Sequence, residues 1–303
     1  MKKIVSVSLG SAKRDHRVRV ELLGEQLEIG RVGTDGDFNR ALTVLQELDG
    51  QVDAIGLGGI DVYLYVRQRR FAIVDGLKLM AAVRSTPVVD GSGLKNTLER
   101  EAVGFIADQG LLKKDQKVLM VSSLDRFGMA EALYDMGCRM TYGDLIFTMG
   151  MTYPVNTVDE LSEIAGKVLP DLVKMPFQML YPTGKKQESQ DEEKVRRFAD
   201  YYFDAEVIAG DFHLIRRYMP DGMKGQTVLT NTTTAADVEF LRAKGIGVLV
   251  TTTPVYEGRS FGTNVFEAAM VALLGKPPAE ITPEDYLALM KRLDFKPVVQ
   301  RLQ

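Results

Sequence analysis

One unit recurs along this chain and restricts its fold more than any single residue does. A strand-length apolar run is followed by a turn of small or polar residues and then by a helix. VVDGSGLKNTLER at residues 88–100 shows the unit in full. IVSVSLG (4–10), VDAIGLGG (52–59), QKVLMVSS (116–123), AEVIAGDF (205–212), QTVLTNTT (226–233) and IGVLVTTT (246–253) read as buried strands. Helical patterns lie between them, and FGTNVFEAAMVALLG (261–275) and PEDYLALMKRL (283–293) close the chain as helices. Such alternation predicts mostly parallel sheets with helices on their faces.

Two stretches depart from it. In HRVRVELLGEQLEIGRVG (16–33), Arg17, Arg19 and Glu21 alternate with Val18, Val20 and Leu22, which predicts a hairpin turning near Gly24. VYLYV (62–66) and RFAIV (70–74) predict a second hairpin. The 303 residues are enough for two cores. The expected fold is therefore a two-lobed α/β protein of Rossmann-like units with N-terminal β-hairpins. The division is expected at 1–112 and 113–303, with a polar surface segment at 181–196.

Composition narrows the partners. The formal net charge is -3, without the basic field that nucleic acid requires. One cysteine, Cys138, allows no internal disulfide, and two histidines, His16 and His213, make a metal site unexpected. The start MKKIVSVSLGS lacks the longer apolar region of a signal peptide, and no run of about 18 apolar residues exists to cross a membrane. The expectation is a cytoplasmic protein that takes a small anionic or polyhydroxylated ligand and does not engage nucleic acid or membrane. A homo-oligomer is compatible with this composition.

Candidate functional residues gather at the strand-to-helix turns, where free backbone N–H groups and the helix dipole favour anions. In the quoted stretch, Gly91 and Gly93 permit a tight turn, Asp90 accepts hydrogen bonds, Lys95 can meet a carboxylate or phosphate, and Asn96 can orient a polar substrate. The alternative is local: Ser92 caps the helix and Lys95 faces water. In VSSLDRFGMAEAL (121–133), Ser122, Ser123, Asp125, Arg126 and Gly128 stand where a nucleotide loop stands in a dinucleotide fold, although GxGxxG is absent. Asp61 follows the glycines of GLGGID. Thr251 and Thr252 end a strand, and Tyr256, Arg259, Ser260 and Asn264 follow in a glycine-flanked loop, where Arg259 can clamp a carboxylate. Asp15 beside His16 suggests a general base with an orienting carboxylate, while a plain surface histidine is the simpler account.

Residues 90–137, DGSGLKNTLEREAVGFIADQGLLKKDQKVLMVSSLDRFGMAEALYDMG, resemble the domain junction of the shikimate and quinate dehydrogenases, quinate 5-dehydrogenases included. In that family an Asn-Thr-Asp loop precedes a linking helix that leads into the first strand of an NAD(P)-binding domain. Asn96 and Thr97 match the first two positions, and KKDQKVLMV matches the domain entry. Leu98 stands in place of the family's catalytic aspartate. The Asn-Val-Thr-x-Pro-x-Lys context of its catalytic lysine is absent, so neither Lys78 nor Lys95 inherits that role. The resemblance implies an NAD(P)-dependent oxidoreductase acting on a small hydroxylated carboxylic acid. Lys95, His16 and Asp90 would then be the catalytic candidates, and NAD or NADP the cofactor. The alternative is a non-redox enzyme or a ligand-binding protein for a small phosphorylated or carboxylated metabolite.

Overall fold

The computed structural model describes residues 1–181, 189–256 and 259–303. The chain begins with β1 (Lys2–Ser8), β2 (Arg17–Leu22), β3 (Glu25–Gly33), α1 (Phe38–Leu48) and β4 (Ala54–Gly58). It continues through β5 (Tyr63–Val66), β6 (Arg69–Ala72), α2 (Val74–Met80), β7 (Val88–Val89) and α3 (Ser92–Asp108). These strands form a sheet in the order β2-β3-β1-β4-β7, with β5 and β6 as a separate hairpin. β1 runs parallel to β3 and β4, β4 runs parallel to β7, and β2 is antiparallel to β3. Both predicted hairpins are present. The first turns through Leu23 and Gly24, both at positive φ, as a two-residue hairpin loop requires. Asp37 caps α1 by accepting the Arg40 N–H at 2.9 Å.

The second half follows the same plan. It contains β8 (Lys117–Met120), α4 (Phe127–Asp135), β9 (Arg139–Tyr142), α5 (Val158–Leu172), α6 (Phe177–Leu180), α7 (Glu192–Asp204), β10 (Val207–Gly210), α8 (Phe212–Tyr218), β11 (Thr227–Thr230), α9 (Ala235–Lys244) and β12 (Val248–Thr251). A small pair, β13 (Val255–Tyr256) and β14 (Arg259–Ser260), leads to α10 (Thr263–Leu274), α11 (Pro283–Arg292) and β15 (Val298–Arg301). The sheet order is β15-β12-β11-β10-β8-β9, parallel except for β15. The protein is thus two-lobed, with a mixed α/β sheet in each lobe.

Sequence periodicity did not show β9 or β15. Each is a four-residue edge strand, too short for alternation to register. α2 starts at Val74, inside the run read as strand. The polar segment expected on the surface divides: 182–188 lie outside the described residues, and α7 starts at Glu192.

α10 returns to the first lobe. Its Val265, Ala268, Ala269 and Ala272 pack with Ile4, Ile29 and Ala54 on one face of the first sheet. The opposite face, through Val7, Ile55 and Leu57, packs on Ala41 and Leu45 of α1. A helix that is apolar on nearly every side must be buried on nearly every side. α10 meets that demand by also packing through Phe266 and Met270 against Leu94 and Leu98 of α3 and Leu289 of α11.

Candidate functional site

The two sheets share a winding. The orders β3-β1-β4-β7 and β9-β8-β10-β11-β12 both place the first strand of the unit between the second and third. Connections then leave on opposite faces on either side of that point, which opens a crevice at the carboxyl ends of the strands. One crevice lies between β1 and β4, the other between β8 and β10. Both open on the same cavity, of about 430 Å³. Ser6, Ser8, Gly58 and Gly59 line it from the first lobe, and Ser122, Asp125, Asp211 and Asn231 line it from the second.

Its polar floor is built from charges that are largely paired. Lys95, buried on α3, donates to Asp61 Oδ1 at 2.9 Å and to the Asp125 carbonyl at 3.0 Å. Burial alone would lower the Lys95 pKa, but the Asp61 carboxylate together with Asp125 and Glu99 outweighs it and the ammonium is held above its ordinary range. Tyr181 donates to Asp61 Oδ2 at 3.1 Å. Arg126 is buried between carboxylates. It pairs with Glu99, donates to Asp211 Oδ2 at 3.0 Å and has Asp125 Oδ2 3.7 Å from Nε. Burial would raise Asp211, yet the Arg126 guanidinium, with His213 beside it, brings it down to about 2. Burial pushes Glu99 up to about 7 and Asp125 up to about 6. The Asp125 carboxylate accepts no hydrogen bond among the described residues, so it retains acceptor capacity toward the cavity.

The first turn of α10 forms another part of the wall. Its N-cap, Gly262, supplies no side-chain cap. Thr263 is buried, and its Oγ1 has no partner among the described residues. Asn264 donates from Nδ2 to Ser6 Oγ at 2.9 Å. The glycines of GLGG serve this approach: a Cβ on Gly56 would lie 2.6 Å from the Asn264 carbonyl oxygen. Arg14 of the first lobe reaches across to His213 Nε2 at 2.6 Å, and His16 stacks on Phe261 with ring centroids 5.4 Å apart.

The structure therefore brings together Lys95, Asp61, Asp125, Arg126, Ser122, His16 and Asn264, all of which border the cavity. It places others elsewhere. Asp90 borders the cavity, but its carboxylate accepts from the N–H groups of Val62 (2.5 Å), Tyr63 (2.9 Å) and Ser92 (3.1 Å) and from Ser92 Oγ (2.6 Å). It ties the start of α3 to the β5 strand. Asn96 accepts from Arg100 Nε at 3.3 Å and faces α4. Thr251 and Thr252 are buried at the end of β12 and do not border the cavity. The side chains of Tyr256, Arg259 and Ser260 lie outside the described residues. Glu99, Asp144 and Glu267 were missed, because a carboxylate in a polar turn or helix looks solvated in sequence. Only Glu267 carried a signal, as the single charge within the apolar helix α10.

The turn after β8 overturns the cofactor expectation. Ser123 N–H donates to Asp144 Oδ1 at 3.0 Å, and Leu124 N–H donates to the same oxygen at 3.1 Å. Ser122 Oγ accepts the Asp211 N–H at 3.0 Å, and Arg126 is spent on carboxylates. The donors that would hold a pyrophosphate already hold the chain's own anion. Gly128, a candidate for the nucleotide loop or for close packing, lets α4 approach α3: a Cβ there would lie 2.3 Å from Asn96 Oδ1. Among the described residues, no group of three His, Cys, Asp or Glu is placed to hold a metal ion, and no helix is long and apolar enough to cross a membrane.

Residues 93–302 match the family described as Domain of unknown function (DUF8754), and residues 3–90 match Domain of unknown function (DUF8753). No curated protein matches the chain. Solved structures that resemble it include a glucose-galactose binding protein from Geobacillus stearothermophilus, 10% identical, TM-score 0.41, covering 99% of this chain and 97% of that one. Another is an ABC transporter solute binding protein from Agrobacterium vitis bound with alpha-D-tagatopyranose, 10% identical, TM-score 0.41, covering 100% and 95%. A third is a galactofuranose binding protein, 12% identical, TM-score 0.39, covering 97% and 99%. These findings correct the dehydrogenase reading. The matching families are not the shikimate and quinate dehydrogenases. The expectations of an enzyme and of NAD or NADP fall with that reading, since the backbone donors of the turn after β8 hold Asp144, and the cytoplasmic setting is not carried further.

Proposed function

We propose, for a chain that belongs to the family described as Domain of unknown function (DUF8754), a non-catalytic role: it binds a small polyhydroxylated or carboxylated molecule between its lobes. One observation carries this reading, namely that the crevices of two doubly wound sheets open on a single cavity. In this reading each lobe is a Rossmann-like unit, the working boundary lies near residue 112, and α10 completes the first lobe. Asp125 accepts a ligand hydroxyl, while Lys95 and Asp61 meet its neighbours. Asn264, Thr263 and the uncapped N-terminus of α10 meet a hydroxyl or carboxylate at the other wall. The paired floor presents donors and acceptors in balance, which suits hydroxyl groups better than a dense anionic charge.

The test is calorimetric titration with neutral sugars, uronic acids and sugar phosphates, with the ligand analysed by mass spectrometry afterwards. At least one neutral sugar or uronic acid should bind saturably and be recovered unchanged. Asp125→Asn and Asn264→Ala should each weaken it about tenfold or more, equivalent to about 1.4 kcal/mol. Absence of binding across the panel, or recovery of a converted product, overturns the reading.

A further inference from the structure

The cavity has a second wall that the polar floor does not use. α5 turns Leu161, Ile164, Val168 and Leu172 toward it, a spacing that keeps all four on one helix face. Met175 and Met179 extend this surface to the rim. This is not ordinary core. Leu161 is buried, but Ile164, Val168, Leu172 and Met175 are only half-buried, and Met179 is 64% exposed. The charges of α5 are kept off this side: Lys167 pairs with Glu163 at 2.6 Å on the outer face. Tyr181 marks the join between the two halves, with its hydroxyl on Asp61 and its ring on the same cavity.

From this geometry we infer that the ligand carries an unbranched aliphatic arm, which lies along α5 toward Met179 while its hydroxylated head rests on Asp61, Lys95 and Asp125. The inference deepens the binding role proposed above, and its assignment of the head rests on that reading. The arm is aliphatic because the wall is built from leucine, isoleucine, valine and methionine, with no aromatic face along α5 to stack a ring. Methionine suits the open end, since its unbranched, polarisable side chain adapts to chains of differing length. The occupant is an arm of the ligand, because the wall and the polar floor belong to one continuous cavity.

The probes are n-alkyl β-D-glucosides from methyl to octyl and the matching n-alkanols, titrated calorimetrically below micelle-forming concentrations. Wild-type affinity should tighten by up to about fourfold per methylene, the equivalent of about 0.8 kcal/mol, until the wall is covered. Met179→Glu, at an exposed position, and Ile164→Asn should flatten that rise and leave methyl glucoside affinity unchanged. A flat series in the wild type, with methyl glucoside bound, overturns the arm and leaves the hydroxylated-ligand reading standing. A rise among alkanols without glucoside binding supports the arm and removes glucose as its head. No binding by either series overturns the arm, while the titrations with other sugars and uronic acids decide the binding role. A flat series together with a dimer that Met179→Glu dissociates in sedimentation assigns the wall to a second copy of the chain and overturns the arm.

Discussion

Asp144 accepts the backbone N–H of Ser123 at 3.0 Å, so the turn after β8 is closed by a carboxylate of its own chain. The same oxygen accepts the Leu124 N–H at 3.1 Å. Asp144→Ala should therefore strand two backbone donors and lower stability by about 2–3 kcal/mol. Asp144→Asn, which retains one acceptor oxygen, should cost less. Urea unfolding of the three proteins, compared at constant slope, gives the values.

Arg126 and Glu99 form a pair buried beneath the cavity floor, 3% and 0% exposed at their side chains. Removing one partner leaves a charge without compensation. Arg126→Met should destabilise by about 3–5 kcal/mol, and Arg126→Met with Glu99→Leu by less than that single change. A double-mutant cycle in denaturant measures the difference. A double variant that loses the sum of the two single losses would show that the pair is not coupled.

Glu267 accepts the Gly91 N–H at 2.7 Å and the Tyr286 hydroxyl at 2.8 Å. Burial, with Asp90 nearby, pushes it up to about 7. The folded state therefore holds a proton that the unfolded chain releases near pH 4.5. The stability linked to that proton is fully present below about pH 4.5 and is lost as pH rises through about 7. Glu99 and Asp125 act in the same direction. Glu267→Gln should remove one such contribution, on the order of 3 kcal/mol between pH 4 and pH 8, and flatten the stability profile. Melting temperatures across that range in wild type and variant decide it.

Gly128 lies where α4 crosses α3. A Cβ there would come within 2.3 Å of Asn96 Oδ1 and 2.9 Å of its backbone oxygen. Gly128→Ala should cost about 1–3 kcal/mol through overpacking. Gly128→Ala with Asn96→Ala should recover part of it, because the closer contact is with the side chain. Chemical denaturation of the two variants separates these contributions.

Alternating apolar runs and helices made the two-sheet plan legible, because period and run length survive in sequence. Charged residues alternating with apolar ones about Gly24 showed the first hairpin, and two short apolar runs showed the second. The site was legible as a rim of strand ends and much less as chemistry. Lys95, Asp61 and Asn264 were visible as polar residues beside turns, and all three reach the cavity. Their partners come from distant chain: Asp61 meets Tyr181, and Asn264 meets Ser6. No local pattern encodes such pairings. Asp144 illustrates the same limit, since its function is to satisfy donors some 20 positions earlier. The dehydrogenase-like junction was misleading because a strand, a linking helix and a second strand recur wherever such units are joined.

The return of α10 sets an order on biosynthesis. A growing chain on the ribosome has made every strand of its first sheet by Val89, yet the helix that shields Ile4, Ile29 and Ala54 emerges only with residues 263–274. Until then that greasy surface stays open to chaperones. The lobe translated first is therefore sealed only near the end of synthesis.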